Sequence, residues 1–157
     1  MKYIPQIPEM VVVHCSATQP RMDIGVKEID FWHRERGWFS CGYHYIIRRD
    51  GTLEKGRPDD RPGAHARGYN KDSLGICLVG GIDDRGRAED NFTVAQYNKL
   101  YELLLNLVGM YKIHTVIGHG DLPHVNKACP SFDVQEFLSR FPRLVADIHT
   151  NGEHYDD

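Results

Sequence analysis

The sequence predicts an α/β domain with one mixed central β-sheet flanked by helices, and three observations carry that prediction. Short β-branched runs, MVVVHC at 10 to 15, SLGICLVGG at 73 to 81 and IHTVIG at 113 to 118, alternate with segments of helical periodicity. An Asp50-Gly51 pair lies between two further β-forming runs and marks an antiparallel hairpin. With 157 residues, the chain is long enough to bury one core and too short for a catalytic module plus a long appendage.

The elements follow in order. MVVVHC reads as a buried strand that ends on a histidine. After a turn-rich stretch, VKEIDFWHRERG places Val26, Ile29 and Trp32/His33 at helical spacing and stops at Gly37, a residue type that ends helices readily. CGYHYIIRRDGTLEKGR is the hairpin, and residues 58 to 72, rich in Pro, Gly, Asp and Asn, form a long loop before the next strand. Thr93 and Gln96 make a capping box, and Val94, Tyr97, Leu100, Tyr101, Leu104 and Val108 repeat along one face of the helix it opens, through to Met110. A strand over 113 to 118 and a helix from about Asp133 to Phe141 complete the domain, expected over 1–141. Residues 142–157 read as a polar, frayed C-terminal tail.

Charge and composition exclude several classes of function. A net charge of −3 gives no basic field for binding nucleic acid through its phosphates. MKYIPQIPEM has one lysine, two prolines and no apolar run, so it reads as neither a secretory signal nor a membrane span. Synthesis in the cytoplasm is the expectation. The four cysteines are irregularly spaced with no C-x-x-C pair, so Cys15, Cys41 and Cys77 are expected to be reduced, mostly buried residues.

Cys129 differs through its neighbours in HGDLPHVNKACP, residues 119 to 130. His14 closes one strand and His119 follows another, and strand ends are where loops assemble sites on a rigid sheet. His119 and His124 are five residues apart with Pro123 between them, so they cannot share a helical face. Without paired cysteines a structural zinc site is disfavoured. A catalytic site needs three protein ligands and an open position, and His14, one of His119 or His124, and Cys129 would fill it.

Six motifs occur in order: V-H-C-S-A-T (13 to 18), G-Y-H-Y-I-I (42 to 47), R-D-G (49 to 51), H-A-R-G-Y-N (65 to 70), L-V-G-G-I-D-D (78 to 84) and K-A-C-P-S-F-D (127 to 133). Together they resemble the zinc-dependent N-acetylmuramoyl-L-alanine amidases of T-odd bacteriophages, a family that includes the peptidoglycan recognition proteins. The resemblance spans about residues 10 to 141 and implies that family's fold. It implies one Zn2+ held by His14, His119 and Cys129, with His124 a rival to His119 because the intervening loop is longer here. It also implies catalytic roles for Tyr43 and Lys127 and places His65 and Asn70 beside the substrate cleft, where side-chain to backbone bonds within the loop are the competing reading. Trp32 and Trp38 are read as packing residues.

The implied reaction is hydrolysis of the muramoyl–L-alanine amide of peptidoglycan by an enzyme expected to be a monomer and to act on the periplasmic wall after release or export. Binding of peptidoglycan without cleavage is the alternative, and the presence of Cys129 and Lys127 argues against it. An added partner implied by the resemblance is a phage RNA polymerase.

Overall fold

The computed structural model describes residues 4 to 125 and 128 to 155. Strands β1 (Met10–Cys15), β2 (Tyr45–Ile47), β3 (Leu53–Lys55), β4 (Ser73–Leu78) and β5 (Thr115–Gly118) form one sheet in the order β3-β2-β4-β1-β5. Four of them run parallel, and only β3 is antiparallel, through the hairpin with β2. Gly51 adopts φ +87° in that turn and the Asp50 carboxylate accepts the Thr52 N–H. A side chain with Cβ would be strained at the first of these positions.

Both faces of the central strands are covered, so β1 and β4 are buried almost throughout. The period of two divides their side chains between two layers. Val11, Val13, Leu74, Ile76 and Leu78 face helices α2 (Val94–Met110), α3 (Val134–Ser139) and α4 (Pro142–Tyr155). On the opposite face Ile46 and Cys77 pack beneath α1 (Val26–Glu35), and Val12 packs with Ala66 and Leu122. His14 belongs to this second face, opposite Cys77 in the β1/β4 register.

The Thr93–Gln96 capping box forms in both directions. Gln96 is itself buried and its side-chain N–H groups reach the carbonyls of Ile47 and Val79, tying α2 to the sheet. The buried stripe of α2 is Leu100, Leu103, Leu104, Leu107 and Val108, so its centre is rotated from the face expected from sequence. Val94 lies outside it and is exposed, in the first helical turn, where Gln96 alone turns inward to the C-terminal ends of β2 and β4.

The frayed tail expected after Pro142 is replaced by a helix. Pro142 begins α4, where its missing N–H costs nothing, and Leu144 and Ile148 on its inner face are buried in the main core. Asn151 donates to the carbonyls of Val108 and Ile113, pinning α4 to the end of α2 and the start of the β5 run. Among the described residues no helix is long and apolar enough to cross a membrane. Because Leu144 is 1% exposed, Leu144→Ala is expected to lower stability by about 2–5 kcal/mol, read as a fall in the urea midpoint at unchanged slope.

Candidate metal centre

Three segments meet at the C-terminal ends of β1 and β5. β1 carries His14 on its cleft face. β5 ends at Gly118, and a short 3-10 turn, His119–Asp121, opens directly behind it with the Asp121 carboxylate accepting the Gly118 N–H. Cys129 sits in a turn held by two backbone bonds, Gly120 N–H to its carbonyl (2.7 Å) and Ser131 N–H to the Ala128 carbonyl (2.6 Å), while the Ser131 hydroxyl donates to the Gly81 carbonyl. The donor atoms of His14, His119 and Cys129 lie within 4.8 Å of one another. His124 is not in this group. It is exposed in the intervening loop at φ +65°.

The donor set fits a borderline-soft cation. Two imidazoles and a thiol suit zinc, whereas calcium and magnesium call for oxygen ligands. The three donor atoms stand close enough together that His14, His119 and Cys129 would together hold one such cation. The Cys15 backbone N–H donates to Cys129 Sγ at 3.2 Å, a bond that stabilises negative charge on this sulfur. Cys15 and Cys129 also share a thiol–thiol hydrogen bond, which lowers the Cys15 thiol to about 7 and, with burial, raises the Cys129 thiol. All four cysteines are free thiols, in line with their spacing.

Around the three donors lies a cleft of ≈ 270 Å³ whose lining includes His33, Arg36, Trp38, Tyr43 and His65, continuous in lining residues with a second hollow beside Arg67 and Asn70. A larger hollow of ≈ 620 Å³ between the N-terminal segment and the end of α2 contains no histidine or cysteine. Tyr43 lies beside the donors, with its ring centroid 5.1 Å from that of His14. Its phenol sits against the Cys77 thiol and is held well above its ordinary value, by burial first and by the surrounding thiols second. The phenol is therefore held in its protonated form, with a proton to donate. Lys127 lies outside the described residues.

The two residues expected at the substrate have bonds within the protein. Asn70 Oδ1 accepts the backbone N–H groups of His65 and Ala66, at 2.7 and 2.8 Å, and so closes the 65-to-70 loop. His65 is buried between His14 and Ser73. Three cleft residues escaped sequence reasoning: His33, Arg36 and Trp38 at the end of α1 and just beyond it. The Arg36 guanidinium lies 5.7 Å from the Trp38 ring centroid, and Trp38 also packs edge-on against His33, so it lines the cleft. The W-H-x-x-x-x-W spacing, residues 32 to 38, was the available signal.

Burial keeps two histidines near the cleft neutral. His33 falls to about 4, through burial first and then Arg36 and Arg57, while its Nδ1 accepts the Gly42 N–H. His44 also falls to about 4, chiefly through burial, and its Nδ1 accepts the Gly75 N–H. Both folded-state values lie below the ordinary 6.5, so the unfolded chain takes up protons first as the pH falls. The stability of the metal-free protein is accordingly expected to be whole above pH 6.5 and to decline continuously as pH drops to about 4, measured by urea unfolding across that window. Separately, the cobalt-substituted protein is expected to show a thiolate-to-metal absorption band that Cys129→Ser abolishes.

Comparison with known proteins bears on this geometry. Residues 5–132 match the family model described as N-acetylmuramoyl-L-alanine amidase. The chain is 48% identical over 139 residues to the endolysin of Enterobacteria phage T3, covering 88% of this chain and 91% of that one. Among solved structures it is similar to the N-acetylmuramoyl-L-alanine amidase LysC from Clostridium intestinale URNW, with TM-score 0.75 and 28% identity over 90% of this chain and 95% of the other. It shares its fold with peptidoglycan recognition protein-LE, solved in complex with tracheal cytotoxin, at TM-score 0.71 and 23% identity over 88% and 85% of the two chains. The converging donors, the cleft around them and the match over most of its length lead to one conclusion: this chain belongs to the N-acetylmuramoyl-L-alanine amidase family.

Proposed function

We propose that the chain hydrolyses the amide between N-acetylmuramic acid and L-alanine in peptidoglycan, with one zinc ion held by His14, His119 and Cys129. The observation that carries this reading is the convergence of two imidazoles and a thiol at the floor of a cleft, in a chain of the amidase family. A bound zinc ion supplies Lewis acidity: it polarises the scissile carbonyl and makes water acidic enough to lose a proton near neutral pH.

The remaining tasks fall to the chain's own groups. Tyr43, held protonated, redirects its phenol proton from the Cys77 side toward the oxygen of the scissile carbonyl as negative charge develops there. Lys127, two residues before Cys129 in sequence, meets the same charge as a cation. Trp38 and Arg36 form a wall of the cleft, where an aromatic face and a guanidinium suit a sugar–peptide junction. The thiol of Cys129 among the donors favours cleavage over simple binding of the polymer. The proposed place of action is the periplasmic wall, reached from the cytoplasm with the help of another factor that opens the inner membrane.

Digestion of purified peptidoglycan followed by muropeptide analysis tests the reaction. New L-alanine amino termini and glycan strands with intact sugar–sugar bonds are expected, and cleavage between sugars would overturn the reading. Chelation is expected to abolish activity and added zinc to restore it. Tyr43→Phe is expected to lower kcat by about 10²–10³-fold with zinc content unchanged.

A further inference from the structure

His65 is a buried imidazole to which the proposed chemistry assigns no task. Its ring occupies a seat made by two glycines: a Cβ at Gly75 would come 2.6 Å from its Cγ, and one at Gly63 would come 2.4 Å from its Cδ2. Any side chain at either position would displace the ring. Both ring nitrogens are within hydrogen-bond distance of a partner, Nε2 at 3.0 Å from Ser73 Oγ and Nδ1 at 2.9 Å from His14 Nε2.

One carbonyl sets the direction of every proton in this chain. Ser73 Oγ lies 2.5 Å from the Tyr69 carbonyl oxygen, which can only accept, so the single hydroxyl proton is used there. Ser73 Oγ must then accept from His65 Nε2–H. The ring is buried with a hydroxyl and a second imidazole as its two partners, surroundings that favour the neutral form, so it carries one proton and no second. Its Nδ1 is consequently an acceptor and takes the N–H of His14 Nε2. A neutral His14 with its proton on Nε2 has its lone pair on Nδ1.

We propose that His65 and Ser73 are positioning residues that fix the tautomer and ring orientation of His14, so that Nδ1 is the atom it offers to the metal; this rests on the metal-centre reading above. The bond to Nε2–H also makes His14 a more basic ligand and holds its ring in place before the ion arrives. The strand pattern builds this arrangement, since His14, Ser73 and Gly75 all belong to the cleft face of β1 and β4.

Two measurements on the whole chain test the proposal. Nitrogen NMR of 15N-histidine-labelled, metal-free protein reads which nitrogen of His14 carries the proton, and competition with a chromophoric chelator reads the affinity for Zn2+. The wild-type protein is expected to hold His14 as the Nε2–H tautomer. His65→Ala is expected to weaken zinc binding by about 10–100-fold and to leave His14 as a mixture of tautomers. His65→Asn, whose amide oxygen can stand where Nδ1 stood, is expected to recover most of the affinity. Ser73→Ala, which removes the acceptor for His65 together with the donor to the Tyr69 carbonyl, is expected to mix the tautomers of both rings. Unfolding midpoints of the metal-free variants verify that each is folded. A proton on His14 Nδ1 in the wild-type protein, unchanged zinc affinity in His65→Ala, or equal losses in the folded Ala and Asn variants would each overturn the proposal. Failure of the wild-type protein to bind zinc would overturn the metal-centre reading instead, while the tautomer measurement would still decide this one.

Discussion

Everything at the site depends on the register of β1 between β4 and β5. Val11 and Val13 point into the layer of α2, α3 and α4, while Val12 and His14 point to the opposite face, Val12 against Ala66 and Leu122 and His14 into the cleft. A slip of one residue would exchange the two sets, burying an imidazole among leucines and placing valine where His14 now stands. The slip is prevented by hydrophobic demand on both faces at once, because β1 pairs with a parallel neighbour on each side and is covered above and below. The register that fills the core is therefore the register that aims His14.

The same sheet converts small residues and buried polar groups into positional accuracy. On the cleft face of β4, Ser73, Gly75 and Cys77 are the residues that can stand beneath a layer of rings: a hydroxyl that orients His65, an absence of side chain that admits it, and a thiol that meets the Tyr43 phenol. Neutral histidines recur there because desolvation penalises the cation and each ring has a fixed hydrogen-bond role instead. His44, for example, accepts from Gly75 N–H and lies 2.7 Å from the Arg61 carbonyl, which can only accept, joining β4 to the loop that carries His65. Groups that would be acid–base catalysts in water act here as rigid struts.

Local pattern made much of the fold legible. The β-branched runs, the Asp50-Gly51 turn and the Thr93–Gln96 cap each act over a few residues, and each forms where the sequence indicates. Helix α4 is legible only in part. Leu144, Val145 and Ile148 stand at helical spacing behind Pro142, but what buries them is their packing against α2, α3 and β5, which the local sequence does not contain. Val94 departs in the other direction, being apolar and in phase but exposed on the first turn of its helix.

The candidate site divides in the same way. The sequence by itself determined the domain class, the order of its elements and the residue types of the proposed three-ligand centre, because strand ends, loop chemistry and motif order are properties of contiguous chain. Only the tertiary structure decided that His119 and not His124 joins His14 and Cys129, that Asn70 closes its own loop, that Trp38 and His33 line the cleft, and that His65 turns its ring toward His14. Those outcomes depend on distances between segments as far apart as Cys15 and Cys129, 114 positions apart in the chain and 3.2 Å from N–H donor to sulfur. Such distances are set by packing across the sheet, which no local window of sequence contains.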